Sequence, residues 1–432
     1  MAPVSGRPRV AVVAGVRTPF AKAGGALAGV PAQELGRVAA RECLDRSGFP
    51  PSGIDEVILG CAGQPSDAAN IARVVALNAG VPQSVPACTV HRNCASAMES
   101  LTTAMDRIAA GRSEVVLAGG TESMSSFPLN YPRSFADKMG RLMAAKGGLA
   151  KAGVMASFRP GDFKPRIAIV EGLTDPFTDL NMGQTAEKIA REFGITREAQ
   201  DAFALESHRR ACVGAARLAE EIVPVPVPPD YGTVVEKDVG PRDTQTLEAL
   251  AKLKPMFQKG AYGTVTAGNA CMVTDGAVSM LLMKEERALA EGLTPLGYLV
   301  DYAYAGLEPE RMGLGPAYAV PRVLDRAAWT LAELDLIELN EAFAAQVIAC
   351  EEALASPAWC EAHLGRGALG RVDPARRNVN GGAIALGHPV GATGARLVLT
   401  LLRELARRGA HRGLATLCIG GGQGGAVLVE RD

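Results

Sequence analysis

The strongest constraint on this chain is that it repeats its own order of strands and helices. Leu334-Asp335-Leu336-Ile337-Glu338-Leu339-Asn340 echoes Ile54-Asp55-Glu56-Val57-Ile58-Leu59-Gly60. Each is an apolar run that stops at a turn-forming residue, the pattern of a buried strand. In the first half an amphipathic helix follows just after Cys94, with Met98, Leu101, Met105 and Ile108 on one face. Residues 114–117 then form a strand that runs into Ala118-Gly119-Gly120-Thr121-Glu122-Ser123. In the second half residues 392–408 form the matching helix, and residues 413–418 the strand that runs into Ile419-Gly420-Gly421-Gly422. Overlaying the halves places His388 opposite Cys94 and Cys418 opposite Ala118. An internal duplication is the simplest account. Strands alternating with helices predict an α/β fold with a largely parallel sheet. Strand ends and helix starts of such packed halves converge on one crevice.

The remaining pattern fits this plan. Residues 9–14 and 54–59 read as strands, and residues 32–47, 70–79 and 321–328 as helices, several stopping at a glycine. Residues 124–258 break the repeat. Within them, residues 182–193 and 198–218 read as helices, and residues 222–230 carry four prolines and form a loop or edge. Leu281-Leu282-Met283 returns to the first sheet. The expected division is therefore an N-terminal half of residues 1–123 with 259–292, an inserted loop domain of residues 124–258, and a C-terminal half of residues 293–432. Between residues 138 and 166 seven basic residues stand against one acid, Asp162, interspersed with Met139, Leu142, Met143, Leu149 and Met155. That mixture suits docking on a partner or peripheral contact with an anionic membrane.

Composition excludes several function classes. With 45 basic and 46 acidic residues and a net charge of −1, the chain offers no polyanion-binding surface, so no nucleic acid is expected as main partner. Its nine cysteines are scattered, with no metal-ligand spacing. That points to a reducing compartment, no disulfide framework and no metal site. No apolar run approaches the roughly 20 residues of a membrane helix, and the run at residues 10–13 is too short for a signal peptide. A cytoplasmic location follows, with the bacterial cytosol favoured over an organelle matrix.

The chemistry-bearing residues sit where the crevice is expected. Cys94 lies at a helix start, where free N–H groups and the dipole favour a thiolate. Asn340-Glu341-Ala342-Phe343 follows a strand directly. Gly387-His388-Pro389 precedes a helix. Cys418 ends a strand before Gly420-Gly421-Gly422, which is no phosphate loop because a strand follows it. Taken singly, each has an ordinary reading: a core cysteine, a capping asparagine, a structural histidine. His91, His208, His363 and His411 read as surface or structural residues.

Taken together and in order, Asn93-Cys94-Ala95-Ser96, Asn340-Glu341-Ala342-Phe343, Gly387-His388-Pro389 and Cys418-Ile419-Gly420-Gly421-Gly422 resemble the thiolase family across nearly the whole chain. Thr264-Val265-Thr266-Ala267-Gly268-Asn269-Ala270 matches a further family stretch. The resemblance implies an α/β, five-layered α/β/α/β/α fold of two duplicated halves with an inserted loop domain. It implies thiolytic cleavage of 3-oxoacyl-CoA by CoA, or the reverse Claisen condensation of two acetyl-CoA, through a cysteine acyl-enzyme. Coenzyme A and acyl-CoA are then substrates, and no cofactor is permanently bound. By resemblance Cys94 is the nucleophile, His388 takes its proton, and Cys418 is the acid/base at the acetyl α-carbon. One oxyanion site uses His388 and a water held by Asn340, the other the N–H groups of Cys94 and Gly420. Arg242 would lie by the CoA nucleotide, Met182 by the acyl pocket, and Ala267, Gly268 and Cys271 along the pantetheine. Cys271 replaces a common serine.

The long stretch between Asn340 and His388, the long insertion and Pro128-Leu129-Asn130-Tyr131 are similar to the β-subunits of fatty-acid oxidation multienzyme complexes. The resemblance therefore implies a homodimer or dimer of dimers, with a hydratase/dehydrogenase subunit as the partner. Asn340 is the form common in free-standing members. Two other readings share these residues: a non-catalytic acyl-CoA-binding or scaffold subunit, and a decarboxylating ketoacyl synthase. The filled catalytic positions disfavour the first, and Cys418 disfavours the second.

Overall fold

The computed structural model describes residues 8–260 and 262–432. Its centre is one hydrogen-bonded path of strands, with one half of the chain on each side. The order runs Leu336–Leu339, Arg412–Ile419, Gln423–Glu430, Gly297–Gly306, Val10–Arg17, Thr274–Lys284, Val115–Ser123, Glu56–Gly60 and Ala87–Val90. The short Ala21–Lys22 strand pairs with Thr274–Lys284. The two halves join where Val10-Ala11-Val12 pairs antiparallel with Gly297-Tyr298-Leu299.

The duplication is visible in the ladders. In each half the first strand runs antiparallel to the last, the last antiparallel to the middle one, and the middle one parallel to the next. Both first strands carry one extra residue at the same place, Val13 between Val12 and Ala14 and Val300 between Leu299 and Asp301. Both halves also clamp the start of the middle strand alike. Asp55 accepts from the N–H groups of Glu114 and Val115, and Asp335 from those of His411 and Arg412. These registers match Leu117 with Leu414 and hence Cys418 with Thr121 rather than Ala118. The sheet is mixed rather than largely parallel, because a tight turn at residues 420–422 makes Arg412–Ile419 and Gln423–Glu430 a hairpin, and its counterpart pair is antiparallel too.

Helices fill the space between and outside the strands. Ser96–Ala109 and Thr393–Arg408 form the middle layer. They bury Met98, Leu101, Leu399 and Leu402 against strand residues of both halves, such as Met280 and Leu417. Ala32–Ser47 and Ile71–Asn78 cover the far face of the first half, and Gly315–Ala327 and Ala344–Ala355 that of the second. The result is the five-layered α/β/α/β/α arrangement. Gly48 and Gly409 close their helices in the left-handed conformation, where a side chain would be strained. The helix expected over residues 321–328 begins at Gly315, with Pro316 in its first turn and Pro321 inside.

Among residues 124–258 the two helices expected from the sequence are Met182–Glu192 and Arg197–Val213. The proline-rich stretch forms a short edge strand, Val225–Val227, paired with Thr233–Val235. Arg133–Ala144 and Gly148–Ala156 carry three of the seven basic residues, Lys138, Arg141 and Lys151. Two of the seven are committed within the chain: Lys138 pairs with Asp162 at 2.5 Å, and Arg166 with Glu171. Among the described residues no helix is long and apolar enough to cross a membrane.

Candidate active site

Cys94 sits in a turn rather than on the helix. Asn93 before it has φ 45°, a left-handed conformation that Asn tolerates better than most residues. The Asn93 Nδ2 group donates to Gly420 O at 2.8 Å, which ties the turn to the second half. The N–H groups of Ala95 and Ser96 are taken by Arg92 O and Asn93 O, and the helix starts only at Ser96. The helix terminus therefore does not hold the Cys94 sulfur. Burial pushes its thiol above the ordinary range, opposed by hydrogen bonding from the Gly420 N–H and its own. This corrects the expectation that a helix start favours the thiolate here: Cys94 is held as a thiol and needs a base, as the role expected of His388 requires.

His388 supplies the chemistry of a base. Its backbone N–H donates to Thr274 Oγ1 at 3.0 Å, and the Gly387 before it has φ 103°. A Cβ at 387 would run into the Thr274 side chain, so that approach needs glycine. His388 Nδ1 lies 2.6 Å from Thr393 Oγ1, whose own proton goes to Pro389 O. Thr393 must accept, so the hydrogen-bond network assigns the proton to Nδ1 and leaves a lone pair on Nε2. Nε2 is buried and has no partner among the described residues. Burial, aided by the positive charge of Arg396, lowers the His388 pKa to about 3.

Asn340 carries the other unpaired polar groups. Both its Oδ1 and Nδ2 are buried without a partner among the described residues. Its backbone is fixed, with the N–H donating to Thr416 O at 2.9 Å. Glu341 anchors the same loop. Its carboxylate accepts from Ser207 Oγ at 2.6 Å, Asn378 Nδ2 at 2.8 Å and the Ile384 N–H at 3.3 Å. Cys271 N–H donates to Ala342 O at 2.9 Å, bringing the Thr264–Cys271 stretch alongside.

Cys418 is buried at the end of its strand, packed with Phe343, Met312, Met182 and Cys271. Burial raises its thiol well above the ordinary range, and the neighbouring Cys94, Cys350 and Cys271 add to this. Cys271 is pushed up to about 12 by burial and by Cys94. Cys94, Cys271 and Cys418 therefore form one group of protonated thiols. Met182 and Gly420 line a cavity of about 310 Å³ with Cys94. Gly268 is buried, with Leu250 and Leu253 standing where a side chain would go, and Ala267 is exposed. Arg242 is exposed and lines no part of that cavity. Its loop packs through Gly240 on Ala385 and Met272, and its N–H donates to His208 Nδ1 at 3.3 Å.

Three features escaped the sequence reading. His91, read as surface or structural, lines the cavity. Residues 169–177 form one wall of it, with no periodic signal to mark them. Glu122, wholly buried, accepts from the N–H groups of Ala62, Gly63 and Gly391 at 2.8–3.0 Å. It ties the loop after Glu56–Gly60 to the turn that follows His388. In the sequence it is marked by no more than an acidic residue following Gly119-Gly120-Thr121.

Comparison with known proteins agrees with this layout. Residues 10–286 match the family model described as thiolase, N-terminal domain, and residues 293–431 that of thiolase, C-terminal domain. An acetyl-CoA acetyltransferase of Pseudomonas aeruginosa is 44% identical over 428 residues, covering 98% of this chain and 99% of that protein. A 3-ketoacyl-CoA thiolase of Aeromonas salmonicida is 41% identical, covering 98% and 97%. The crystal structure of human mitochondrial 3-ketoacyl-CoA thiolase in complex with CoA superposes with a TM-score of 0.85 at 36% identity, covering 98% of both chains. With two family models spanning almost its whole length and full-length relatives above 40% identity, the chain belongs to the thiolase family.

Proposed function

We propose that this protein transfers acyl groups between 3-oxoacyl-CoA and CoA through an acyl-enzyme on Cys94. The observation that carries the reading is a cluster of thiols together with buried polar groups that have no partner. Cys271 and Cys418 lie close enough to Cys94 to be raised by it, and the Nε2 of a neutral His388 and both polar atoms of the Asn340 side chain are buried without a partner among the described residues.

Each group has a task that fits its state. His388 Nε2 takes the Cys94 proton, and the thiolate attacks the 3-oxo carbon. The new Nε2–H and the Asn340 amide, directly or through a water, stabilise charge on an oxygen of the substrate. The bond between C2 and C3 breaks, its electron pair goes to C2, and the Cys418 thiol protonates C2 to release acetyl-CoA. The Gly420 and Cys94 N–H groups hold the thioester oxygen of the acyl-enzyme. Incoming CoA gives its proton to the Cys418 thiolate and takes the acyl group, and His388 returns a proton to Cys94. The reverse sequence is the Claisen condensation. Arg242, Ala267, Gly268 and Cys271 bind CoA in this scheme, and a bound substrate needs no permanent cofactor. A dimer, and a hydratase/dehydrogenase subunit or an anionic bilayer at the basic helices, belong to the same proposal. Met143 and Leu149, exposed beside Arg141, Lys146 and Lys151, support such a contact.

Intact-protein mass spectrometry tests the nucleophile. Incubation with 3-oxobutanoyl-CoA adds one acyl mass to the wild type and none to Cys94→Ala. Acylation that survives in the variant refutes the assignment.

A further inference from the structure

Acetyl-CoA acetyltransferases and 3-ketoacyl-CoA thiolases both stand among the relatives of this chain, so the comparisons leave its preferred acyl length open. The cavity beside Cys94 bears on that choice. At about 310 Å³ it equals about ten water volumes at roughly 30 Å³ each. It is lined by Cys94, Asn93 and Gly420 together with the apolar Met124, Phe127, Ile169, Leu173 and Val390, and by the largely exposed Phe177. Of the residues assigned to CoA or its acyl group, Met182 lines it, whereas Arg242, Ala267, Gly268 and Cys271 do not. The cavity is thus lined by the nucleophile and by none of the residues assigned to CoA itself.

Several of its wall residues are held by neighbouring segments. Residues 173–175 are pinned to the start of the Met182–Glu192 helix by Met182 N–H to Leu173 O at 3.0 Å and Asp175 N–H to Leu180 O at 2.9 Å. Phe127 packs on Gly63, where a Cβ would strike its ring. Met182 rests against Gly420. Asp175 is the charged wall residue. It is only 2% exposed. Its Oδ1 accepts from the Phe177 and Thr178 N–H groups at 3.0 Å, and its Oδ2 has no partner among the described residues. A second carboxylate brought into this cavity meets like charge at a buried site.

We infer that this cavity is an acyl-chain pocket, selecting linear, uncharged 3-oxoacyl tails longer than that of 3-oxobutanoyl-CoA. The inference rests on the acyl-transfer reading above. A buried methylene contributes about 0.8 kcal/mol, or roughly fourfold in kcat/KM. Two more carbons in the tail then raise kcat/KM about fifteenfold.

The test is CoA-dependent thiolysis by the wild-type protein of 3-oxoacyl-CoA substrates with four, six and eight acyl carbons, and of a six-carbon substrate ending in a carboxylate. The expected result is a rise of about tenfold or more in kcat/KM from four to six carbons, with the carboxylate-ended substrate well below its neutral counterpart. Leu173→Trp, which places a larger ring in the cavity, lowers the six-to-four ratio several-fold. A kcat/KM that falls with length, or equal use of the charged tail, overturns the pocket while leaving the acyl-transfer reading intact. No thiolysis at any length overturns that reading and the pocket with it.

Discussion

Replacing Glu341 tests whether the Asn340 loop is held as the structure holds it. Its carboxylate, 2% exposed, satisfies three donors from three different segments: Ser207, Asn378 and Ile384. Glu341→Ala strands all three. Each unsatisfied buried donor costs about 1–3 kcal/mol, and partial relaxation leaves a loss of roughly 4–6 kcal/mol. Glu341→Gln keeps the shape. Turning its amide nitrogen toward Asn378 loses one bond and preserves two, a cost of about 1–3 kcal/mol. For 432 residues the unfolding entropy is about 0.9 kcal/mol per degree, so the midpoint falls about 5–7 °C for Ala and about 1–3 °C for Gln. Thermal melts by circular dichroism, run at one scan rate, read both. Because Asn340 has no side-chain partner of its own, kcat falls in both variants, further in Ala. An Ala variant that melts within 1 °C of the wild type, or a Gln variant as unstable as Ala, refutes this account of the loop.

Two further outcomes follow from single residues. Arg242→Ala raises KM for CoA with little change in kcat, because an exposed side chain outside the cavity contributes uniform binding; steady-state kinetics at varied CoA read it, and a large fall in kcat at constant KM contradicts it. Burial holds His388 near pKa 3 and His208 near 4, both below the unfolded value of about 6.5. The unfolded chain therefore binds more protons below pH 6.5. The stability of the neutral forms is complete above that pH and is lost as pH falls toward 4, about 2 kcal/mol per histidine at pH 5. His208→Gln removes one such contribution, so its urea midpoint drops less between pH 7 and pH 5 than that of the wild type; equal drops refute the sign.

The two-half plan was legible because duplication and turn chemistry act locally, and the four motif stretches because, taken together and in order, they resemble a known family. The helix ends at Gly48 and Gly409 are local in the same way. Register was not. Cys418 faces the position of Thr121 because the Asp55 and Asp335 clamps set where each middle strand begins, and that is a tertiary fact. The Val115–Ser123 strand continues through Gly119 and Gly120, which a sequence pattern reads as a stop. A Cβ at Gly119 would strike Val278 O and one at Gly120 would strike Gly391 O, so these glycines permit close packing rather than ending the strand. The acid state of Cys94 also escaped, because burial outweighs a helix terminus whose nearest N–H groups are already bonded. The cavity wall at residues 169–177 is the end of a five-residue helix and a turn folded back on Leu180 and Met182, too short for any period to announce.

The central claim is that two cysteines, one from each half, divide the reaction between them. Cys418→Ala tests it most directly, with two assays on one protein. Exchange of the acetyl group between acetyl-CoA and labelled CoA needs only Cys94, His388 and an oxyanion site. Thiolysis of 3-oxobutanoyl-CoA also needs a proton at C2, and a positioned acid/base contributes about 10²–10⁴ to such a step. The account predicts that Cys418→Ala retains exchange and loses thiolysis by about that factor. Equal loss of both would place Cys418 in nucleophile activation or folding, and near-normal thiolysis would give the C2 proton to another group; either result contradicts the account.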